Sequence, residues 1–144
     1  MMQVPARDMR MTPQRMAVIA YLEGNTTHPS AMDVFEFVSR KFPTMSFATV
    51  YSTLQTLKDK GRLLELTLDP HKKRFDPNVA PHHHLICVVC KKIVDVMRTF
   101  DLSLSDEERC GFRLIGNHAD FYGVCPTCGK NGEGTGWVEK HEGF

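Results

Sequence analysis

Two Cys-x-x-Cys pairs constrain this 144-residue chain more than any other feature: Cys87-Val88-Val89-Cys90 and Cys125-Pro126-Thr127-Cys128, with 34 residues between them. Each pair can grip one ion from a tight turn, and together they complete a tetrahedral four-thiolate site. Whatever lies between must therefore return the chain to its starting point. Zinc suits the set best, being borderline-soft and without redox chemistry. Four thiolates leave no open coordination position, so the expected role of the Zn²⁺ is structural. Lys91-Lys92 after the first pair and Gly129-Lys130 after the second fit knuckles that turn sharply and offset thiolate charge. The fifth cysteine, Cys110, falls in a stretch read as a helix over 105–112, where it is expected to be a half-buried small apolar residue.

Composition excludes several function classes. Lys+Arg number 18 against 17 Asp+Glu, a net charge of +1, which is not that of a basic or acidic tail protein. Charged residues at 24% with 42% hydrophobic argue for a folded chain. Apolar runs such as 17–22 and 85–90 fall far short of the about 20 residues a membrane-spanning helix needs. Arginines at 7, 10 and 15 have no apolar stretch behind them, so no secretory signal is visible. The expectation is a soluble, cytoplasmic protein with no membrane partner. Charge is uneven along the chain. Residues 1–78 hold 11 Lys+Arg against 8 Asp+Glu, and 79–144 hold 7 against 9. A basic first half fits a polyanion-binding module joined to something else, which sets the expected domains at 1–78 and 79–144.

Three helix-like segments fill most of the first half. Thr12-Pro13 starts one, with Val18, Ile19 and Leu22 at helical spacing and Gly24-Asn25 ending it. Ser30 caps a second, with Asp33 three residues on; Val34, Phe37, Val38 and Phe42 mark its buried stripe and Pro43 stops it. Ser46 caps the third, whose apolar face is Phe47, Val50, Leu54 and Leu57, and Gly61 closes it. Ala48, Ser52, Gln55 and Asp59 lie opposite that face, with Tyr51 on its flank. Small and hydrogen-bonding residues there suit a helix that enters a DNA major groove. Tyr51, Ser52 and Gln55 are expected to face base edges, with Thr49 near phosphates. Short strand-like pieces at 62–68 and 74–75 follow, around the turn Asp69-Pro70-His71-Lys72-Lys73. Three short helices and a basic hairpin make the winged variant of the helix-turn-helix plan.

Immediately before the first cysteine pair stands His82-His83-His84. In a strand begun by Pro81, His82 and His84 share one face and His83 takes the other. Cys87 has the parity of His83, so the His82/His84 face points away from the zinc and leaves room for a second metal. Asp76, Asp95 and His28 are the candidate partners.

These residues together carry a family resemblance. The chain resembles the ferric uptake regulator family of metal-dependent bacterial repressors over about residues 11–130. The motifs are Met11-Thr12-Pro13-Gln14-Arg15, His28-Pro29-Ser30-Ala31, Ser46-Phe47-Ala48-Thr49-Val50-Tyr51, Arg74-Phe75-Asp76, His82-His83-His84-Leu85-Ile86-Cys87, Lys92-Ile93-Val94-Asp95 and Tyr122-Gly123-Val124-Cys125. The resemblance implies an α+β chain: an N-terminal winged helix-turn-helix domain, a short hinge, and a small α/β dimerisation domain holding the four-cysteine zinc. It implies a homodimer on double-stranded operator DNA, A·T-rich and palindromic, with Arg10 at the position that reaches into the minor groove.

Within the family the peroxide-sensing branch matches best. Its regulatory ion is held by three histidines and two aspartates, which fall here on His28, Asp76, His82, His84 and Asp95. Iron-uptake members usually place glutamates at the two acidic positions. An all-nitrogen-and-oxygen set suits Fe²⁺ or Mn²⁺. The branch implies that peroxide, reduced at bound iron, oxidises His28 or His82 and releases the repressor from DNA. The alternative within the family is a reversible, iron-responsive uptake repressor. Lys91 stands where relatives commonly have glycine, and a further metal site involving His83 or His118 stays open. An enzyme using Cys-x-x-Cys for thiol redox chemistry is the rival of another class, but no thioredoxin-like βαβ pattern surrounds either pair. The chain is therefore read as a regulator and not as an enzyme.

Overall fold

Thr12 begins the first helix by accepting the backbone N–H of Arg15 on its hydroxyl at 3.2 Å, and Pro13 fits the first turn, where no N–H is needed. The computed structural model of the chain describes residues 9–69, 71–134 and 136. Its contacts divide into two compact units, Met1–Ala80 and Pro81–Phe144. The outer ends of both expected domains, and Pro70 of the expected turn, lie outside the described residues.

In the first unit α1 (Pro13–Leu22), α2 (Ala31–Ser39) and α3 (Phe47–Asp59) precede β1 (Leu64–Leu66) and β2 (Arg74–Asp76). Ser30 and Asp33 form a reciprocal capping box: Asp33 N–H donates to Ser30 Oγ at 3.1 Å and Ser30 N–H to Asp33 Oδ2 at 2.9 Å. Ser46 caps α3 through Thr49 N–H at 3.2 Å. Gly61, at φ 67°, takes the left-handed turn that ends α3, and Arg62 N–H reaches back to the Leu57 carbonyl at 2.9 Å.

Val18, Leu22, Val34, Val50, Leu54 and Leu57 are fully buried in one core, which Leu63 and Phe75 extend towards the strands. Truncating Leu54 to Ala there is worth about 2–5 kcal/mol. β1 and β2 pair antiparallel with Leu64 opposite Asp76, so the helices carry a two-stranded wing. The unit is a winged helix-turn-helix.

Two aromatic residues of the expected stripes lie elsewhere. Phe37 is 51% and Phe47 40% exposed. Phe37 stacks on Tyr21 at 4.3 Å, and Phe47 meets Phe35 edge-on at 5.9 Å, so both satisfy part of their apolar area against half-buried rings that pack on the core. α2 also ends at Ser39, before Phe42.

In the second unit β3 (His83–Cys87) is the central strand of a three-stranded sheet. It pairs antiparallel with β4 (Ile93–Val96) and parallel with β5 (Asp120–Gly123). A short α4 (Pro126–Lys130) follows, with Cys125 as its N-cap. Leu85 sits opposite both Val94 and Phe121, and all three are exposed, so one sheet face presents an apolar row.

The helix expected over 105–112 is only a turn. Ser105 and Glu108 cap it reciprocally, but after Arg109 N–H to the Ser105 carbonyl the bonds tighten to Cys110–Glu107 and Phe112–Arg109. Cys110 is exposed and left-handed at φ 48°, rather than half-buried. Gly111 follows in the same conformation, and two such residues cannot continue an α-helix. No helix among the described residues is long and apolar enough to cross a membrane.

Candidate metal centres and the DNA-facing helix

The four-cysteine cluster grows from two tight turns. Cys87 ends β3, and the turn to β4 closes through Lys91 N–H to the Cys87 carbonyl at 3.0 Å and Cys87 N–H to the Lys92 carbonyl at 2.9 Å. Lys91 is left-handed there, at φ 63°, the conformation for which glycine is the usual choice. Cys125 and Cys128 stand at the start of α4. One sulfur from each of the four falls within 4.8 Å of all the others, and Cys90 Sγ lies 3.7 Å from Cys125 Sγ. Backbone N–H groups point at the sulfurs: Cys125 N–H at Cys87 Sγ, 3.3 Å, and Cys128 N–H at Cys125 Sγ, 3.5 Å.

None of the cysteines is in a disulfide. Burial pushes the Cys87 thiol up, but the N–H groups of Cys125, Cys90 and Val89 outweigh it and bring it down to about 6. The Lys92 N–H draws the Cys90 thiol down, yet burial and the sulfurs of Cys87 and Cys125 leave it raised. Burial, then the sulfurs of Cys125, Cys90 and Cys87, raise Cys128 further. The Cys87 thiolate is favoured while Cys90 and Cys128 resist ionising beside it, a repulsion that a bound dication would relieve. The set fits a structural zinc.

The histidine and aspartate donors fall into two groups, one in each unit, all buried except the half-buried Asp95. In the first unit Arg74 of β2 donates its Nε–H to the His28 carbonyl and its Nη2 to the Thr27 carbonyl, 3.3 Å. Phe75 N–H bonds the Pro29 carbonyl at 2.9 Å. These bonds fasten the loop before α2 onto the wing. Asp76, the next residue of β2, then meets His28: Nε2 to Oδ2 is 3.2 Å, with the two side chains 0% and 1% exposed. His28 is itself left-handed at φ 53°, a strained backbone for a non-glycine residue ahead of proline and one that clusters at functional sites.

In the second unit His84 of β3 lies directly opposite Asp95 of β4. His82 Nε2 and His84 Nε2 both address Asp95 Oδ1, at 3.1 and 3.5 Å. His83 turns to the other face, where its ring packs on Phe100 and its Nδ1 accepts the Ala119 N–H at 2.8 Å. The alternation expected of the triplet is present, although β3 begins at His83 rather than at Pro81.

Every donor in both groups is nitrogen or oxygen, and every histidine presents Nε2 to a carboxylate. That chemistry fits Fe²⁺ or Mn²⁺. Sequence reasoning missed Asp120 of β5, the other strand neighbour of His84. Its nearness depends on a parallel pairing across 36 residues of chain, which no local pattern reveals.

On α3, Tyr51 and Ser52 are exposed, whereas Thr49 and Gln55 are half-buried. The Thr49 side chain shares the Ser46 hydroxyl at 2.9 Å, and its carbonyl accepts from Ser52 Oγ at 3.1 Å. Arg10 is exposed, and its carbonyl is held by Arg15 Nη1 at 2.8 Å. A groove lined in part by Tyr51, His71, Lys72 and Lys73 sets the wing's cations beside the exposed helix face. The sequence places His71, Lys72 and Lys73 in the turn of the basic hairpin, but they are not among the expected DNA contacts. Their place beside Tyr51 follows from the hairpin's return to α3.

The family model described as the ferric uptake regulator family matches residues 6–122. The chain is 37% identical over 121 residues to the peroxide-responsive repressor PerR of Staphylococcus aureus, covering 83% of this chain and 82% of that protein. Among solved structures it is similar to the ferric uptake regulator from Francisella tularensis with iron. There the TM-score is 0.68 at 25% identity, over 88% of this chain and 98% of that one. It is likewise similar to the Campylobacter jejuni peroxide stress regulator, with a TM-score of 0.61 at 25% identity over 81% and 89% of the two chains.

Proposed function

This chain belongs to the ferric uptake regulator family, and from that premise we propose a cytoplasmic, homodimeric repressor that releases operator DNA in response to peroxide. As a family member it is a DNA-binding transcriptional regulator and not an enzyme. It uses a structural zinc and a regulatory ion. Cys87, Cys90, Cys125 and Cys128 hold the zinc. His28, Asp76, His82, His84 and Asp95 together hold one regulatory Fe²⁺ or Mn²⁺. The observation that carries the peroxide reading is that both carboxylates set against histidine Nε2 atoms are aspartates, Asp76 and Asp95.

His28 and Asp76 belong to one unit, and His82, His84 and Asp95 to the other. Donors drawn from both favour one closed arrangement when they share an ion, and that arrangement binds DNA. Tyr51, Ser52 and Gln55 then face base edges, Thr49 lies near phosphates, and Arg10 enters an A·T-rich minor groove. A two-fold dimer calls for a palindromic operator. The exposed apolar row of Leu85, Val94 and Phe121 supports self-association.

An iron held by these residues would supply the redox chemistry that activates peroxide beside them, with the histidine ring as the net two-electron reductant. His28 or His82 takes up one oxygen, a ring C–H becoming C–OH while the second peroxide oxygen leaves as water. An oxidised imidazole is a poor donor, so the ion is lost and the units are released from the closed arrangement.

Mass spectrometry after peroxide tests this. The iron-loaded protein is expected to gain one oxygen on His28 or His82, and the manganese-loaded protein none. Iron-loaded protein that stays unmodified and on its operator overturns the peroxide reading. That result favours the reversible iron-responsive repressor, which the likeness to the Francisella regulator with iron supports.

A further inference from the structure

His84 is bracketed by two carboxylates. β3 runs between β4 and β5, and His84 is the residue opposite Asp95 on one side and Asp120 on the other. Residues paired across a sheet point to the same face, so all three side chains converge. The two ends of the imidazole are divided between them: Nε2 lies 3.5 Å from Asp95 Oδ1, and Nδ1 lies 3.8 Å from Asp120 Oδ1. Asp95 also faces His82, which marks that side as the ion's. Among the described residues, Asp120 faces the far nitrogen of His84 and, through Oδ2, the exposed His118 at 3.6 Å. The Asp120 side chain is 16% exposed, and its Oδ1 is buried without a hydrogen bond.

We infer that Asp120 is a positioning residue for the regulatory ion: it accepts the Nδ1–H of His84 and so keeps the Nε2 lone pair turned towards the metal. A neutral imidazole carries one proton, and the nitrogen that keeps it cannot ligate. A buried acceptor at Nδ1 selects the tautomer with Nε2 bare. It also orients the ring, as outer carboxylates do for ligating histidines generally. A side-chain adjustment of roughly 1 Å brings the 3.8 Å separation into hydrogen-bond range. The inference rests on the regulatory-site reading above and adds a residue to it.

The test uses full-length, zinc-loaded protein and Mn²⁺ alone as probe. Free Mn²⁺ is read by electron paramagnetic resonance in wild type, Asp120→Ala, Asp120→Asn and Asp95→Ala. Zinc content and helical circular dichroism report the fold. Nitrogen-15 imidazole spectra of the manganese-free protein report which nitrogen of His84 holds the proton. Asp120→Ala is expected to bind Mn²⁺ about 10–100-fold more weakly with zinc and helicity unchanged. Its His84 should lose the bias towards the Nδ1–H tautomer. Asp120→Asn keeps an acceptor oxygen and should recover part of both. Mn²⁺ that binds wild type, is lost in Asp95→Ala, and binds both Asp120 variants as tightly as wild type overturns this inference alone. A wild type that takes up no Mn²⁺ overturns the regulatory-site reading and this inference with it.

Discussion

Asp95 presents one oxygen to two histidines, His82 at 3.1 Å and His84 at 3.5 Å, so the length of its side chain sets how both rings meet an ion. Asp95→Glu keeps the charge and adds one methylene. Metal-stimulated DNA binding is expected to survive in that variant while oxidation of His28 or His82 by peroxide falls; histidine oxidation at an unchanged rate would show that the aspartate does not tune the chemistry. Arg10 acts at the same scale but on the other partner. Arg10 is exposed, and on the proposed reading its guanidinium enters a minor groove and releases one counterion there. Arg10→Ala should weaken operator binding and flatten the log–log salt dependence by about one unit of slope. An unchanged affinity across a salt series would remove Arg10 from the interface.

Caps and knuckles hold the elements in place. Burial alone would raise the Asp33 carboxyl, but the Ser30 N–H and hydroxyl, with the Lys72 and Arg74 charges, lower it below the ordinary 3.8. A depressed folded value means that the capping box stabilises α2 fully above pH 3.8 and loses that contribution as pH falls through the folded value. The stability gap between wild type and Asp33→Asn, from urea unfolding followed by helical circular dichroism, should be largest above that pH and close in strong acid. Ser30→Ala should cost about 1 kcal/mol. The zinc knuckles are a larger dependence, because metal binding there is folding free energy. Cys128→Ser, or a strong chelator, is expected to unfold the second unit, and a stable zinc-free dimer would contradict the structural role. Cys110→Ser should be silent in the same measurement, since Cys110 is exposed on a turn.

At the scale of the whole molecule, the zinc cage and the His/Asp donors are separate parts with separate consequences. His28→Ala or Asp76→Ala should leave zinc content and the helical signal intact while abolishing metal-stimulated operator binding. Fluorescence anisotropy with and without Mn²⁺ measures it, and a loss of about 5–150-fold is the scale of such couplings. Metal-stimulated binding that persists in both variants would separate the first unit's donors from the switch.

Features set by short-range chemistry are readable from the order of the residues. Cysteine spacing is a covalent constraint, so the four-thiolate cage was legible before any coordinates. Caps such as Thr12, Ser30 and Ser46 act within three residues and marked the helix starts correctly. The alternation of His82, His83 and His84 follows from strand geometry alone. Tertiary structure decided everything that depends on which distant segments meet. Phe37 and Phe47 have the period of a buried stripe, yet they lie on the surface because Val34, Val38, Val50 and Leu54 fill the core between the helices. The 105–112 segment has a helical cap, but left-handed Cys110 and Gly111 stop it after one turn. The left-handed backbone of His28 is held by Arg74 and Phe75, more than forty residues away. Asp120 reaches His84 only because β5 pairs parallel to β3. Spacing and caps act through bonds and single turns, which sequence order preserves; a contact across a sheet is fixed only when the whole chain has chosen its register.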